Sequence, residues 1–184
     1  MSATVQTGYF FMPEHIILVG ASERPHSLGE RIFSHLLGSS YQGKITPVNL
    51  RHSSVAGIPS YSSLSKIPGQ ADLVVAVIPP DHYDSLFKAC RKKDLRHIIL
   101  IQDWENLPPE SCKNARSIIQ KHYGDELNIS VCNSAGIQLP SLNLNISTQA
   151  DYPAGHIALL TGHSTVSRNI NHLLNTLHQG VSRH

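Results

Sequence analysis

Short runs of isoleucine, valine and leucine alternate along the chain with stretches in which apolar residues recur at helical spacing. Five apolar runs cover residues 15–19, 44–48, 72–78, 97–101 and 128–131. Because these runs are almost uninterrupted, they are typical of parallel strands that are buried on both faces. Helices are predicted between them, at residues 28–37, 60–66, 82–93 and 109–123. This alternation predicts an α/β fold with a doubly wound parallel sheet.

Two of the predicted helices have recognisable start signals. Ser27 precedes the first helix, and Glu30 follows three residues later, as in a capping box. Asp81 precedes the helix that runs through Cys90, and lysines lie near the end of that helix. We therefore expect Ser27 and Asp81 to be N-cap residues.

The amino-acid composition of the chain changes after Gly136. Residues 141–155 are rich in asparagine and proline and predict a linker, after which a strand, "HIALL", leads through "TGHST" into a helix that ends near Gln179. The predicted organisation is an N-terminal extension at 1–14, a main domain at 15–140, the linker, and the beginning of a second α/β domain at 156–184. One strand and one helix cannot bury a core. They either pack on the first domain or open a domain that this chain lacks, and we favour the second arrangement.

Composition excludes several classes of partner. The chain has 15 basic and 13 acidic residues, a formal net charge of +2, which is no electrostatic footprint for nucleic acid. No apolar run approaches the roughly 20 residues that a membrane helix needs, so a cytoplasmic location without membrane contact is expected. The three cysteines, Cys90, Cys112 and Cys132, form no Cys-x-x-Cys pair and favour reduced thiols. The 12 histidines are scattered without metal-ligand spacing, so no metal site is predicted.

The first strand ends in a turn of small residues, "HIILVGASERPHSLGERIFSHLL". Such a turn directs backbone N–H groups and the positive end of the helix dipole toward one point, which favours a phosphate. The candidate residues are Gly20, Ala21, Ser22 and Gly29, and their spacing is not that of the dinucleotide fingerprint. In the alternative interpretation, Gly20 only makes a tight turn and Ser22 satisfies local backbone groups.

The next two strand ends narrow the choice of ligand. The second strand ends in "PVNLRHSS", with Asn49 and Arg51 where NAD-binding sheets place a carboxylate. Arg51 suits a ribose phosphate, which CoA carries at the 3′ position and NADP at the 2′ position, although it could also be an ordinary surface arginine. The third strand ends in "VAVIPPDHY", where Pro79 and Pro80 either wall a ligand crevice or simply stiffen a helix entry.

Three longer stretches carry a resemblance to a known family. They are "ILVGASERPHSLGERIFSHLL", "GKITPVNLRHSSVAGIPSYSSLSKIPGQADLVVAVIPP" and "ISVCNSAGIQLPSLNLN". They resemble the Rossmann-like CoA-binding domain of NDP-forming acyl-CoA synthetases, the relatives of the succinyl-CoA synthetase α subunit. The later stretch "PAGHIALLTGHSTVSRNINHLL" resembles the opening of that family's ligase domain. Some such proteins are long chains that add an ATP-grasp part and a protein lysine acetyltransferase domain.

The resemblance implies a set of ligand contacts. It places Gly20, Ala21, Ser22 and Gly29 at the CoA phosphates. It places Asn49 and Arg51 near the adenosine and its phosphate, and Ile78, Pro79 and Pro80 beside the nucleotide or the pantetheine arm.

Three motifs depart from the family pattern. "IQDWEN" has Gln102 and the bulky Trp104 where the family has a small-residue turn close to the thiol end of CoA. "VCNSAG" keeps Asn133 and Gly136 of a Gly-Pro-Asn-x-x-Gly motif, and Gln102 and Asn133 complete the candidate site. "TGHS" replaces a Ser-x-Ser-Gly turn. The departures suggest altered chemistry, and the histidine that the family phosphorylates would lie beyond residue 184.

The expected function is therefore binding of CoA or acyl-CoA without catalysis by this chain alone. The parent protein would be an acyl-CoA synthetase or a protein acetyltransferase. Its partners would be the missing ligase and ATP-grasp domains or subunits. Two alternatives stay open: a free-standing module that senses CoA, and an NADP-binding module.

Overall fold

A computed structural model describes residues 8–124 and 126–183. In chain order the helices and strands are α1 (Gly8–Phe11), β1 (His15–Val19), α2 (Leu28–Gly38), β2 (Lys44–Val48), β3 (Ser54–Val55), β4 (Ile58–Pro59), β5 (Leu73–Ala76), α3 (Tyr83–Lys92), β6 (His97–Ile101), α4 (Pro109–His122), β7 (Asn128–Cys132), β8 (Ile137–Leu139), β9 (Leu144–Ile146), β10 (Ala154–Ala158), α5 (Ser164–Thr176) and β11 (Val181–Arg183). Residues 1–7 of the predicted N-terminal extension, and residue 184, lie outside the described part.

The centre of the structure is a five-stranded parallel sheet in the order β2-β1-β5-β6-β7. The predicted doubly wound α/β fold is confirmed, and each apolar run of the sequence forms one of these strands. Successive residues of a strand face opposite sides of the sheet. Ile17 therefore packs with the core under α3 and α4, while its neighbours Ile16 and Leu18 pack with the core under α2.

Two local predictions are wrong. Residues 60–66 do not form an α-helix, because only Leu64–Lys66 form a single 3₁₀ turn. The serines there hydrogen-bond to one another (Ser63 and Ser65, 2.9 Å), and Pro68 follows directly. Asp81 is not an N-cap, since it lies inside a 3₁₀ turn that starts at Pro80, and α3 begins only at Tyr83. The Ser27 cap is confirmed: its Oγ accepts a hydrogen bond from the Glu30 amide at 3.2 Å.

Residues 141–155, predicted as a linker, contain a buried stretch at 144–149 and the buried Tyr152. They continue an antiparallel hairpin, β8–β9, whose apolar residues Leu144 and Ile146 pack in the same core as α2. The helix α2 also holds this segment through polar contacts from Arg31 to the Thr148 carbonyl (2.9 Å) and from His35 to the Ser147 carbonyl (2.9 Å). The segment is thus part of the packed structure, and the domain boundaries stay a prediction.

The C-terminal unit consists of β10, α5 and β11. Its two strands pair in parallel, and its apolar cluster has only three buried members, Tyr152, Leu174 and Val181. The buried face of α5 is partly polar, because Ser167 and Asn171 are buried there together with Leu174. Apolar residues lie on its outer face, where Leu173 is 53% and Leu177 is 55% exposed. Within the described residues, no helix combines the length and the apolar character that crossing a membrane requires.

The first prediction concerns His97, which is buried at the start of β6 against the edge of Phe10. Burial, reinforced by the nearby charge of Arg96, lowers the pKa of His97. Native His97 therefore takes up a proton less readily than the unfolded chain, so lowering the pH through the unfolded pKa of about 6.5 protonates the unfolded chain first. We expect the free energy of unfolding to fall between pH 7 and pH 5, and His97→Gln to flatten that dependence.

Urea unfolding at several pH values measures this effect. His172→Gln, at an exposed position on α5, is the matched control and should keep the slope of the unchanged protein. If the slopes of His97→Gln and the unchanged protein were the same, the interpretation of His97 would be wrong.

Candidate functional site

An open cleft of about 960 Å³ lies at the carboxyl ends of β1, β2 and β5. The chain leaves β1 toward β2 on one side and later returns to β5 on the other, so β1 and β5 mark the point where the strand order reverses. Ligands of doubly wound sheets bind at such a point. The fold therefore creates a crevice where most of the predicted residues lie.

Two glycines allow the loop after β1 to approach its neighbours closely. Gly20 has φ +94°, and a Cβ there would lie 2.2 Å from the Val77 carbonyl oxygen. A Cβ on Gly29 would lie 2.1 Å from the Gly20 carbonyl oxygen. The Gly20 amide itself donates to the Val48 carbonyl at 3.1 Å. Both glycines are thus needed for packing whether or not a ligand is bound.

The first turn of α2 faces this cleft. Ser27 satisfies the Glu30 amide with its side chain and the Arg31 amide with its carbonyl. The amides of Leu28 and Gly29 have no partner among the residues that the structure describes. Unpaired N–H groups at the positive end of an 11-residue helix form a favourable environment for an anion.

Asn49 and Ser22 serve the protein's own backbone. The Asn49 side chain donates to the Ala21 carbonyl at 2.8 Å and accepts from the amides of Arg51 and His52. Ser22 accepts from the Arg24 amide at 3.0 Å. Asn49 thus ties the loop after β2 to the loop after β1, and the alternative interpretation of Ser22 agrees with its contact.

Two arginines give the cleft its positive charge. Arg24 and Arg51 line it, both are exposed, and neither guanidinium has a hydrogen-bond or ion-pair partner within the described ranges. The acidic residue between the loops, Glu23, is bonded to the Ala56 amide at 2.6 Å. Two cations are therefore available to a ligand at this edge of the sheet.

The other predicted site residues divide between two places. Ile78, Pro79 and Gln102 line the cleft, whereas Pro80 is buried and does not line it. Asn133 lies elsewhere, in a second cavity of about 890 Å³ between β7 and the turn after β10. There its side chain donates to the Gly162 carbonyl at 3.1 Å.

Trp104 also lies in the second cavity and not in the cleft. Its Nε1 donates to the Cys132 carbonyl at 2.9 Å. Burial raises the pKa of the Cys132 thiol, and it raises that of Cys90 to about 12. These pKa shifts disfavour thiolates, so neither cysteine is a good nucleophile.

Sequence reasoning missed several cleft residues. Arg24 carries the second free cation, and Leu50 exposes 82% of its surface beside Arg51. Both follow strands within a few residues of the predicted positions, so their place at the strand ends could have identified them. His82 likewise follows β5 closely, two residues after Pro80, whereas Ser62 and Ser63 have no such local signal and reach the cleft through tertiary packing. No cluster of three histidine, cysteine or acidic residues suited to a metal ion occurs among the described residues.

The family is established by comparison of the sequence with known families. Residues 14–138 match the CoA binding domain family, and the chain belongs to that family. The matched range contains the whole cleft. The fold and the crevice at its carboxyl edge thus occur in a domain whose family is defined by CoA binding.

Curated relatives include ligases of archaea. The α subunit of acetate–CoA ligase [ADP-forming] II from Pyrococcus furiosus is 29% identical over 155 residues, which cover 83% of this chain and 34% of the relative. Acetate–CoA ligase [ADP-forming] from Methanocaldococcus jannaschii is 25% identical over 177 residues, covering 95% of this chain and 25% of the relative. The chain thus spans about a third or less of these relatives.

Solved structures share the fold. The apo form of dinucleotide forming acetyl-coenzyme A synthetase 1 from Ca. Korarchaeum cryptofilum superposes with a TM-score of 0.82 at 20% identity, over 96% of this chain and 39% of that one. PH0766 from Pyrococcus horikoshii OT3 superposes with a TM-score of 0.79 at 24% identity, over 96% of this chain and 41% of that one. Both likenesses concern the fold alone, and they extend over nearly all of this chain.

The second prediction tests the close approach at Gly29. Gly29→Ala should lower the free energy of unfolding by about 1–3 kcal/mol, because the new methyl group meets the backbone of Gly20 and has no room to move. Gly38→Ala, at the other end of α2, is the matched control: nothing lies within 4 Å of its Cβ, and it should be neutral or slightly stabilising. Urea unfolding compares the two variants. Equal stabilities would contradict the packing role of Gly29.

Proposed function

We propose that this chain binds CoA or acyl-CoA in the cleft at the carboxyl ends of β1, β2 and β5, with the phosphates at the first turn of α2. One observation carries the proposal: the region that matches the CoA binding domain family contains a cleft with unpaired helix amides and two unpaired guanidinium groups. The curated relatives, which are named as CoA ligases, support it.

Binding would depend on charge and on backbone donors. The amides of Leu28 and Gly29, at the positive end of the α2 dipole, suit the diphosphate of CoA. Arg51, held by the turn that Asn49 caps, suits the 3′-phosphate on the ribose. Ile78 and Pro79 offer an apolar wall for the nucleotide or the pantetheine arm. No residue of the cleft is assigned a catalytic role.

The third prediction concerns Arg51. Arg51→Ala should weaken CoA binding about three- to tenfold, because an exposed charge-assisted contact to the 3′-phosphate is lost. Binding of dephospho-CoA, which lacks that phosphate, should change less than about twofold. Calorimetric titration of the purified chain with CoA, acetyl-CoA, dephospho-CoA, NADP and NAD measures these affinities.

Arg168→Ala, at an exposed position on α5 away from the cleft, is the matched control. Equal losses of affinity for CoA and dephospho-CoA would remove the role given to Arg51. Binding of NADP in preference to CoA would favour a dinucleotide module instead.

We also propose that β10, α5 and β11 are the beginning of a ligase-type domain whose further segments cover their apolar surface. Leu160 is 97% exposed in the turn after β10, and Leu173 and Leu177 lie outward on α5. The relatives are about three times as long or longer, which leaves room for such segments. They would be the ligase and ATP-grasp parts of an acyl-CoA synthetase, or of an acetyltransferase-type protein.

The fourth prediction follows from this incomplete packing. In the chain as described here, amides of α5 should exchange with solvent through openings of lower free energy than amides of α3. The reason is that α3 buries four residues, Tyr83, Leu86, Phe87 and Cys90, whereas α5 buries mainly the polar Ser167 and Asn171 with Leu174. Hydrogen exchange measured by mass spectrometry gives both values. Equal protection of the two helices would show that the unit needs no further segments.

A further inference from the structure

A small hairpin stands beside the cleft and is bonded to the loop after β1. The hairpin consists of β3 and β4, joined by Ala56 and Gly57. The Oε1 atom of Glu23 accepts a hydrogen bond of 2.6 Å from the Ala56 amide. Glu23 and Val55 both line the cleft. A side chain of the candidate phosphate loop thus holds the tip of the hairpin.

The other attachments of the hairpin are at its base, where Ile58 packs against the core and the Tyr61 amide directly beyond β4 donates to the Pro47 carbonyl at 3.1 Å. Each of its strands has only two residues, too short to be stable alone. Val55 is anchored in the core at 1% exposure, and the Ser60 amide donates to the Ser53 carbonyl at 2.8 Å at the base of the hairpin. At the tip, Ala56 and Gly57 are both exposed, and the bond from Glu23 is the contact that connects this end to the rest of the cleft.

The carboxylate of Glu23 has two opposing effects on binding an anion in the cleft. Glu23 lies five residues before the start of α2 and lines the same cleft as Leu28 and Gly29, so its negative charge is close to the proposed phosphate position. Charge alone would make Glu23 unfavourable for binding an anion. Its hydrogen bond to the hairpin would have the opposite effect, because a fixed wall lowers the ordering cost of binding. Charge and hydrogen bond therefore predict effects of opposite sign.

We propose that Glu23 is a positioning residue of the cleft, which fixes the β3–β4 hairpin and thereby the wall that carries Val55. This inference rests on the proposed binding of CoA. In this proposal the side-chain oxygen of Glu23 favours binding by holding the hairpin, whereas the negative charge of Glu23 disfavours an anionic ligand.

The experiment separates the acceptor from the charge. Glu23→Gln keeps a side-chain oxygen that can accept from the Ala56 amide but removes the charge, whereas Glu23→Ala removes both. Calorimetric titration with CoA should show binding weakened about fivefold by Glu23→Ala and unchanged or tightened by Glu23→Gln. Glu110→Ala, at an exposed position on α4 far from the cleft, is the control for loss of one negative charge.

A second measurement reports on the hairpin without any ligand. Ala56 is an exposed residue whose amide donates to Glu23, so the hydrogen exchange of this amide, measured by NMR, should accelerate in Glu23→Ala and stay slow in Glu23→Gln. If both variants tighten CoA binding equally, Glu23 acts by charge alone and the positioning role is wrong. If the unchanged chain binds no CoA, the proposed function fails, while the exchange of Ala56 still decides whether Glu23 holds the hairpin.

Discussion

The close approach of α2 to the carboxyl ends of β1 and β5 is the constraint on which the cleft depends. A Cβ on Gly20 would overlap the Val77 carbonyl, and one on Gly29 would overlap the Gly20 carbonyl. With both side chains absent, the first turn of the helix reaches the edge of the sheet, where its unpaired amides face the crevice. The strand order places that crevice at β1, because the chain departs to opposite sides of this strand. The two glycines thus allow the close packing of α2 on the sheet, and the same packing brings the unpaired amides to the crevice.

Most polar side chains around the cleft are used to hold its loops together. Asn49 connects the loops after β1 and β2, Ser22 supports its own turn, and Glu23 connects the first loop to the β3–β4 hairpin. Among the charged side chains of the cleft, Arg24 and Arg51 have no hydrogen-bond or ion-pair partner within the described residues. Together with the unpaired amides of Leu28 and Gly29, these two cations favour anionic ligands, which gain hydrogen-bond partners on entering.

The C-terminal unit follows a different packing rule from the main sheet. On the buried face of α5, Asn171 contacts the Ala150 carbonyl and Ser167 contacts the Tyr152 hydroxyl, while Leu173 lies outside. The segment between the two parts is bonded on its other side to Arg31 and His35 of α2. In a polar junction of this kind, directional hydrogen bonds set how the helix is oriented, whereas buried apolar area contributes less. It therefore connects the helix that begins at the cleft with the unit that exposes the apolar surface.

The sequence by itself determined the parallel strands, because apolar runs buried on both faces are recognisable without knowledge of their neighbours. It also determined the Ser27 cap, whose partner lies three residues away, and, through its motifs, the family to which the chain belongs. Helix 60–66 and the Asp81 cap were predicted wrongly, because serine contacts and proline geometry outweighed helical spacing there. Only the tertiary structure decided that Asn49 holds two loops together, that Asn133 lies in a different cavity from Gly20, and that residues 141–155 pack against α2. Each of these depends on partners far away in the chain, and the local pattern of residues contains no information about which distant groups will meet.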